Sequence, residues 1–132
     1  MALHNQKREI DLYLNLLKKT LCYLIWDESE SPLGLYGGSR KFKILGGQLI
    51  VKILRRFNLK LMKSVKFDRS KREVGQDWPI KAHTMMGLKR LTNIQSCAHK
   101  VIQENIEGDF IETGVWRGGG CIFMQGILSA YN

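Results

Sequence analysis

Late in the chain the residues run Glu112-Thr113-Gly114-Val115-Trp116-Arg117-Gly118-Gly119-Gly120. The pattern predicts a strand that enters a glycine-rich turn and opens a helix. An acid at the strand tip, Glu112, is followed two and six residues on by Gly114 and Gly118, with Gly119 and Gly120 adjoining. Glycines so placed let the backbone turn tightly and pass close to a ligand, and the next helix offers unpaired N–H groups. Trp116 stands where dinucleotide-binding hydride enzymes carry a third glycine. The carboxylate selects the ligand: it repels a pyrophosphate and suits an ammonium group or a ribose. That points away from NAD and toward S-adenosylmethionine, which carries an amine and a cationic sulfur. A glycine-rich turn that holds no ligand has the same spacing.

The other chemistry-bearing residues form no constellation. His4, His83 and His99 have no carboxylate or cysteine spaced to make a triad or a metal site. Met85 and Met86 read as core or lid packing, and Trp78 as an anchor against the helix that follows. Cys22, Cys97 and Cys121 are far apart and form no CxxC, which argues against zinc and for reduced thiols in a cytoplasmic protein. The start of the chain lacks an apolar stretch with a small-residue cleavage site, so no signal peptide is expected.

These residues need elements to position them. Ile10, Tyr13, Leu14, Leu17, Leu21, Leu24 and Ile25 recur at helical spacing and predict an amphipathic helix over 8–26, with Lys18 and Lys19 off the stripe. Polar residues break that run too often for a membrane span. Residues 34–48, with five glycines, read as a mobile loop. A short basic helix is expected over 49–63 and a polar, extended stretch over 65–78. Asp77-Trp78-Pro79 signals a helix start, and the apolar pattern then runs from Ile80 to Ile102, with a bend or break at Gly87. A strand over 109–113 and a helix over 118–131 complete the chain. The net charge of +9 is uneven: residues 40–72 hold twelve Lys/Arg against one acid, Asp68, so that stretch is +11 and the remainder −2. Such a stretch could meet nucleic acid, an anionic membrane through 49–63, or an acidic protein partner. No nucleic-acid motif surrounds its isolated Phe42 and Phe57, which disfavours the first.

Three blocks in order carry a resemblance. Asp77-Trp78-Pro79, then residues 83–93 (HTMMGLKRLTN), then residues 108–119 (GDFIETGVWRGG) resemble the macrocin O-methyltransferase (TylF) family. The likeness is close over 72–131, looser over Tyr13 to Lys18, and not read over 30–64. It implies a class I, Rossmann-like α/β methyltransferase. Such enzymes pass a methyl group from S-adenosylmethionine to a sugar hydroxyl of a small molecule with the help of a divalent metal, usually magnesium. By the same likeness, Glu112, Thr113, Gly114, Trp116, Gly118 and Gly119 fall on the cofactor loop, and Thr84 and Met85 on a segment that caps the cofactor. The family's catalytic base, metal-binding acids and ribose-gripping acid would lie beyond Asn132, so no catalytic or metal residue is assigned. The expectation is a truncated, mostly α-helical N-terminal portion holding the first strand-loop-helix of the sheet and inactive alone. It divides into an N-terminal helix (1–29), a basic variable segment (30–76) and a lid with the first β-loop-α (77–132). A homo-oligomer is compatible with this reading. The alternative is a non-catalytic binding module acting through the basic segment.

Overall fold

The structure is a computed structural model, and it describes residues 2–32 and 47–131. Most of the expected mobile loop at 34–48 lies outside the described residues. Two compact units divide the chain: residues Met1–Asp27 with Asp68–Asn132, and residues Glu28–Phe67.

The first unit is helical. It holds α1 (Ala2–Leu21), α3 (Arg69–Val74), α4 (Leu88–Gln103) and α5 (Gly119–Tyr131). Its core is Leu14, Leu21, Cys22 and Leu24 from the first segment, with Ala82, Leu91, Ala98, Phe123 and Ile127 from the second. α5 packs on both α1 and α4. Gly126 faces α1 in this contact: a Cβ there would lie 2.5 Å from Leu17 Cδ2, the end of a side chain that can turn aside.

Lys18, expected off the apolar stripe of α1, is buried, with Nζ donating to Thr92 Oγ1 at 3.2 Å. It lies four residues after Leu14 and three before Leu21, so helical geometry puts it on the core face. Desolvation lowers its pKa, against the opposing pull of Asp11. The helix also ends at Leu21, short of 26. Tyr23 adopts φ 56°, Tyr23 N–H donates to Thr20 O and Leu24 N–H to Lys19 O. That pair of bonds is the Schellman stop, which satisfies carbonyls the helix end would otherwise orphan.

The stretch expected to be extended over 65–78 contains α3. Asp68 caps it by accepting from Lys71 N–H, and Gly75 at φ 71° ends it. Both cap residues suit their places. α4 begins at Leu88, not Ile80, and Gly87 is its N-cap rather than an interior bend. The backbones of Gly75 and Gly87 cross so closely that a Cβ on Gly87 would collide with the Gly75 nitrogen. Residues 80–87 therefore run as bends, with 85–87 passing close to Gly75 at the end of α3. Residues 109–113 join no ladder among the described residues, and Ile111 is 83% exposed. A strand needs a partner for its backbone groups, so the expected strand is present only as an unpaired segment.

The second unit holds β1 (Glu30–Pro32), α2 (Gly47–Arg56) and β2 (Met62–Ser64). β1 and β2 pair antiparallel, with Ser31 opposite Lys63. α2 is shorter than the expected 49–63: Asn58 at φ 57° stops it with the same bond pair, Leu59 N–H to Leu54 O and Asn58 N–H to Arg55 O. Among the described residues no helix is long and apolar enough to cross a membrane.

Candidate functional site

The glycine-rich turn and the segment before α4 face each other within the first unit. Gly114 at φ 94° and Gly118 at φ 77° occupy backbone space that other residues enter with strain. Gly119 N–H donates to His83 O at 3.1 Å, and a Cβ on Gly119 would strike that carbonyl and Thr84 Cβ. The first turn of α5 is thus pressed against residues 83–84. Arg117 ties the same surfaces together: Nη1 donates to Ile80 O at 2.6 Å and Ala82 O at 3.0 Å. Its guanidinium lies 4.1 Å from the centre of the Trp116 ring. On the opposite wall, buried Thr84 accepts from Met86 N–H through Oγ1, fixing the turn.

Glu112 sits at the N-terminus of α5. Its Oε2 accepts from Cys121 N–H at 3.1 Å and from Cys121 Sγ at 3.0 Å. The carboxylate can lie there because Gly120 has no side chain: a Cβ would be 2.5 Å from Oε1. Gly118, at the N-cap place, has no side chain to satisfy the helix, so Glu112 supplies the acceptor from outside. Its charge also faces the positive end of the helix dipole. The hydrogen bond from the thiol to Glu112, with lesser help from desolvation and the carboxylate's charge, raises the Cys121 pKa. That makes Cys121 a poor nucleophile at neutral pH.

Between these walls lies a cleft of about 110 Å³ lined by His83, Thr84, Met85, Met86, Glu112, Gly114, Trp116, Arg117, Gly119 and Gly120. Six of the eight residues singled out from the sequence line it. Thr113 does not and is exposed; Gly118 makes the turn without reaching the wall. His83, Met86, Arg117 and Gly120 line it without having been selected. Arg117 and Gly120 belong to the glycine motif itself, so the motif's own residues were the signal. Nothing in the spacing marks His83, which arrives because its carbonyl receives Gly119. Among the described residues no group of three or more His, Cys, Asp or Glu is placed to hold a metal ion. The described residues therefore do not form a magnesium site.

A carboxylate, a helix start and left-handed glycines thus face residues 83–86 across one small cleft. The model of the family described as macrocin O-methyltransferase (TylF) matches residues 10–132. The chain belongs to this family, and the resemblance read from the three motif blocks is borne out. The match also takes in residues 30–64, where no likeness was read. The mycinamicin III 3''-O-methyltransferase of Micromonospora griseorubida is 37% identical over 123 residues, 93% of this chain and 38% of that enzyme. The 8-demethyl-8-(2,3-dimethoxy-alpha-L-rhamnosyl)-tetracenomycin-C 4'-O-methyltransferase of Streptomyces olivaceus is 38% identical over 121 residues, 92% of this chain and 36% of that enzyme. The solved structure of the O-methyltransferase NovP matches with a TM-score of 0.62 and 36% identity, over 92% of this chain and 37% of NovP. The chain thus spans less than two-fifths of the length of these relatives.

Proposed function

We propose that the chain supplies the cofactor-loop side of an S-adenosylmethionine-dependent O-methyltransferase acting on a sugar hydroxyl of a small-molecule substrate. The observation that carries the reading is Glu112, lodged at the start of α5 across a cleft from Thr84 and Met85. Family membership and the sugar-bearing substrate in a relative's name support it. Bound S-adenosylmethionine supplies an electrophilic methyl group on a cationic sulfur. Glu112 Oε2 is occupied by Cys121, and Oε1 takes part in neither of those bonds. In this reading Oε1 meets the ammonium of the cofactor's methionine end. Gly114, Gly118 and Gly119 let the loop approach it, Trp116 offers an apolar wall, and Thr84 and Met85 cover it and limit water. No proton transfer is assigned to a residue of this chain. The described residues supply no group of ligands for magnesium to this reading. The free thiols of Cys22, Cys97 and Cys121 fit a cytoplasmic setting for the same reading.

The cleft encloses only part of such a cofactor. At about 110 Å³ it is well below the ~300 Å³ at which ligand pockets begin. Each charge-assisted hydrogen bond not made forfeits roughly 1.5–3 kcal/mol. The 132 residues alone are therefore expected to bind S-adenosylmethionine only near millimolar and to turn nothing over. Calorimetric binding at low micromolar concentration would contradict this. The function itself is tested in a chimera, with residues 10–132 replacing the matching segment of the mycinamicin III enzyme. A folded chimera that binds the cofactor and methylates a sugar-bearing acceptor supports the proposal. One that folds but binds no cofactor refutes it.

A further inference from the structure

Residues 80–87 form neither helix nor strand, yet residues 83–86 make one wall of the cleft. Burial of Pro79 and Ala82 draws the segment onto the core. Apolar burial has no direction. It sets how deep the segment lies and leaves its angle to hydrogen bonds, which do have direction. His83 N–H donates to Leu21 O at 2.9 Å, and Gly119 N–H donates to His83 O. Two further ties come from one side chain in the glycine-rich turn, where Arg117 Nη1 donates to Ile80 O and Ala82 O. Nη1 carries two of the guanidinium's hydrogens, one for each carbonyl. The same guanidinium lies within cation–π reach of the Trp116 ring. It can do both at once because its donors lie in its plane and its face is left for the indole. One side chain thus sets two walls of the cleft: Trp116 beside it, and the segment that carries Thr84 and Met85.

We propose that Arg117 is a positioning residue of the cofactor cleft, acting through the Ile80 and Ala82 carbonyls to hold Thr84 and Met85 over the S-adenosylmethionine site. This deepens the methyltransferase reading and rests on it. What Arg117 contributes is preorganisation. A ligand that needs the fastened arrangement binds more weakly in proportion to the fraction of molecules that have lost it.

The test uses the whole chain, labelled for NMR, with two readouts: amide hydrogen exchange without ligand, and titration with S-adenosylmethionine, which reads affinities near millimolar. Arg117→Met removes every donor and keeps most of the length. Exchange at the His83 and Met86 amides should quicken about tenfold more than at Ala98 and Ile127, inside α4 and α5, and the dissociation constant should rise about tenfold. Arg117→Lys keeps the charge on a shorter stem without the stacking plane. In it protection and affinity should move together, both restored or both lost. Unchanged exchange at His83 and Met86 in Arg117→Met would overturn the proposal. Faster exchange at unchanged affinity would also overturn it, leaving Arg117 as a structural tie alone. So would affinity restored by lysine while exchange stays fast, since Arg117 would then act on the cofactor by its charge. A parent chain whose spectrum does not respond to S-adenosylmethionine well above millimolar concentration would instead sink the cofactor reading, and this inference with it.

Discussion

Glu112 has two jobs on offer, and one substitution separates them. As a cap it accepts from Cys121 N–H; as a cofactor ligand it presents a charge to an ammonium group. Glu112→Gln retains an acceptor oxygen and removes the charge. The charge at a helix N-terminus contributes about 0.3–1 kcal/mol, so the unliganded protein should melt slightly lower. Glu112→Ala removes the acceptor as well and should cost about 1 kcal/mol. In the chimera, Glu112→Gln should weaken S-adenosylmethionine binding about tenfold or more, roughly 1.4 kcal/mol. A small stability loss with unchanged cofactor affinity would leave Glu112 as a cap alone. The same variant carries a second readout. Because the bond to Glu112 is the leading cause of the raised Cys121 pKa, Glu112→Gln should speed alkylation of Cys121 at mildly alkaline pH. The exposed thiol of Cys97 serves as the internal reference, and no change in the ratio of rates would show that the bond does not form in solution.

At the scale of elements, two glycines of α5 look alike in sequence and differ in what they permit. A Cβ on Gly119 meets the His83 carbonyl and Thr84 Cβ, which cannot move without shifting backbone. A Cβ on Gly126 meets the end of Leu17, a side chain that can rotate, and then Tyr13 Oη at 3.2 Å. Overpacking costs about 1–3 kcal/mol, while Gly→Ala inside a helix returns about 1 kcal/mol. Gly126→Ala is therefore expected near neutral and Gly119→Ala clearly destabilising, as measured by urea unfolding. Equal effects would mean that the first turn of α5 is not pressed on residues 83–84. The glycine motif was legible because a tight turn into a helix pressed on another segment demands those residue types at fixed spacing. The start of α4 was not, since Gly87 is needed for a backbone crossing with Gly75 that no one-dimensional pattern reveals. α3 was missed although Asp68 and Gly75 bracket it, because its six residues are too few for an apolar period. The burial of Lys18 was hidden by its charge: its position on the core face was readable, but its partner Thr92 lies 74 residues away. The segment 109–113 has strand composition, yet strand formation depends on neighbours that composition does not supply.

For the first unit as a whole, four distant stretches meet around Cys22. Arg72, nearly fully buried, donates through Nη1 to Cys22 O at 3.1 Å and pairs through Nε with Asp77. The Cys22 thiol donates to Met86 O at 3.3 Å. The end of α1, α3, the 77 turn and the approach to α4 are fastened at one point, so losing it should register as global unfolding. Burial pushes the thiol from an ordinary 9.0 up to about 11, the nearby Arg72 opposing and Asp77 reinforcing the shift. A group whose folded pKa is raised stabilises the fold fully below its unfolded pKa and loses that contribution as pH rises. Stability should therefore fall between pH 9 and about 11, by up to roughly 3 kcal/mol at about 1.4 kcal/mol per pH unit. Lys18, with its lowered pKa, acts in the opposite sense over the alkaline range, and Tyr131, with its raised pKa, in the same sense. The measurement is consequently a difference: urea unfolding of the parent and of Cys22→Ala at pH 8, 9, 10 and 11. Both proteins share Lys18 and Tyr131, so subtracting one curve from the other leaves the thiol together with its own coupling to Lys18. The gap between parent and variant should narrow as pH rises, because only the parent must keep a proton on a buried sulfur. A constant gap would mean that Cys22 ionises alike in both states, and that the fastening at the end of α1 is open in solution.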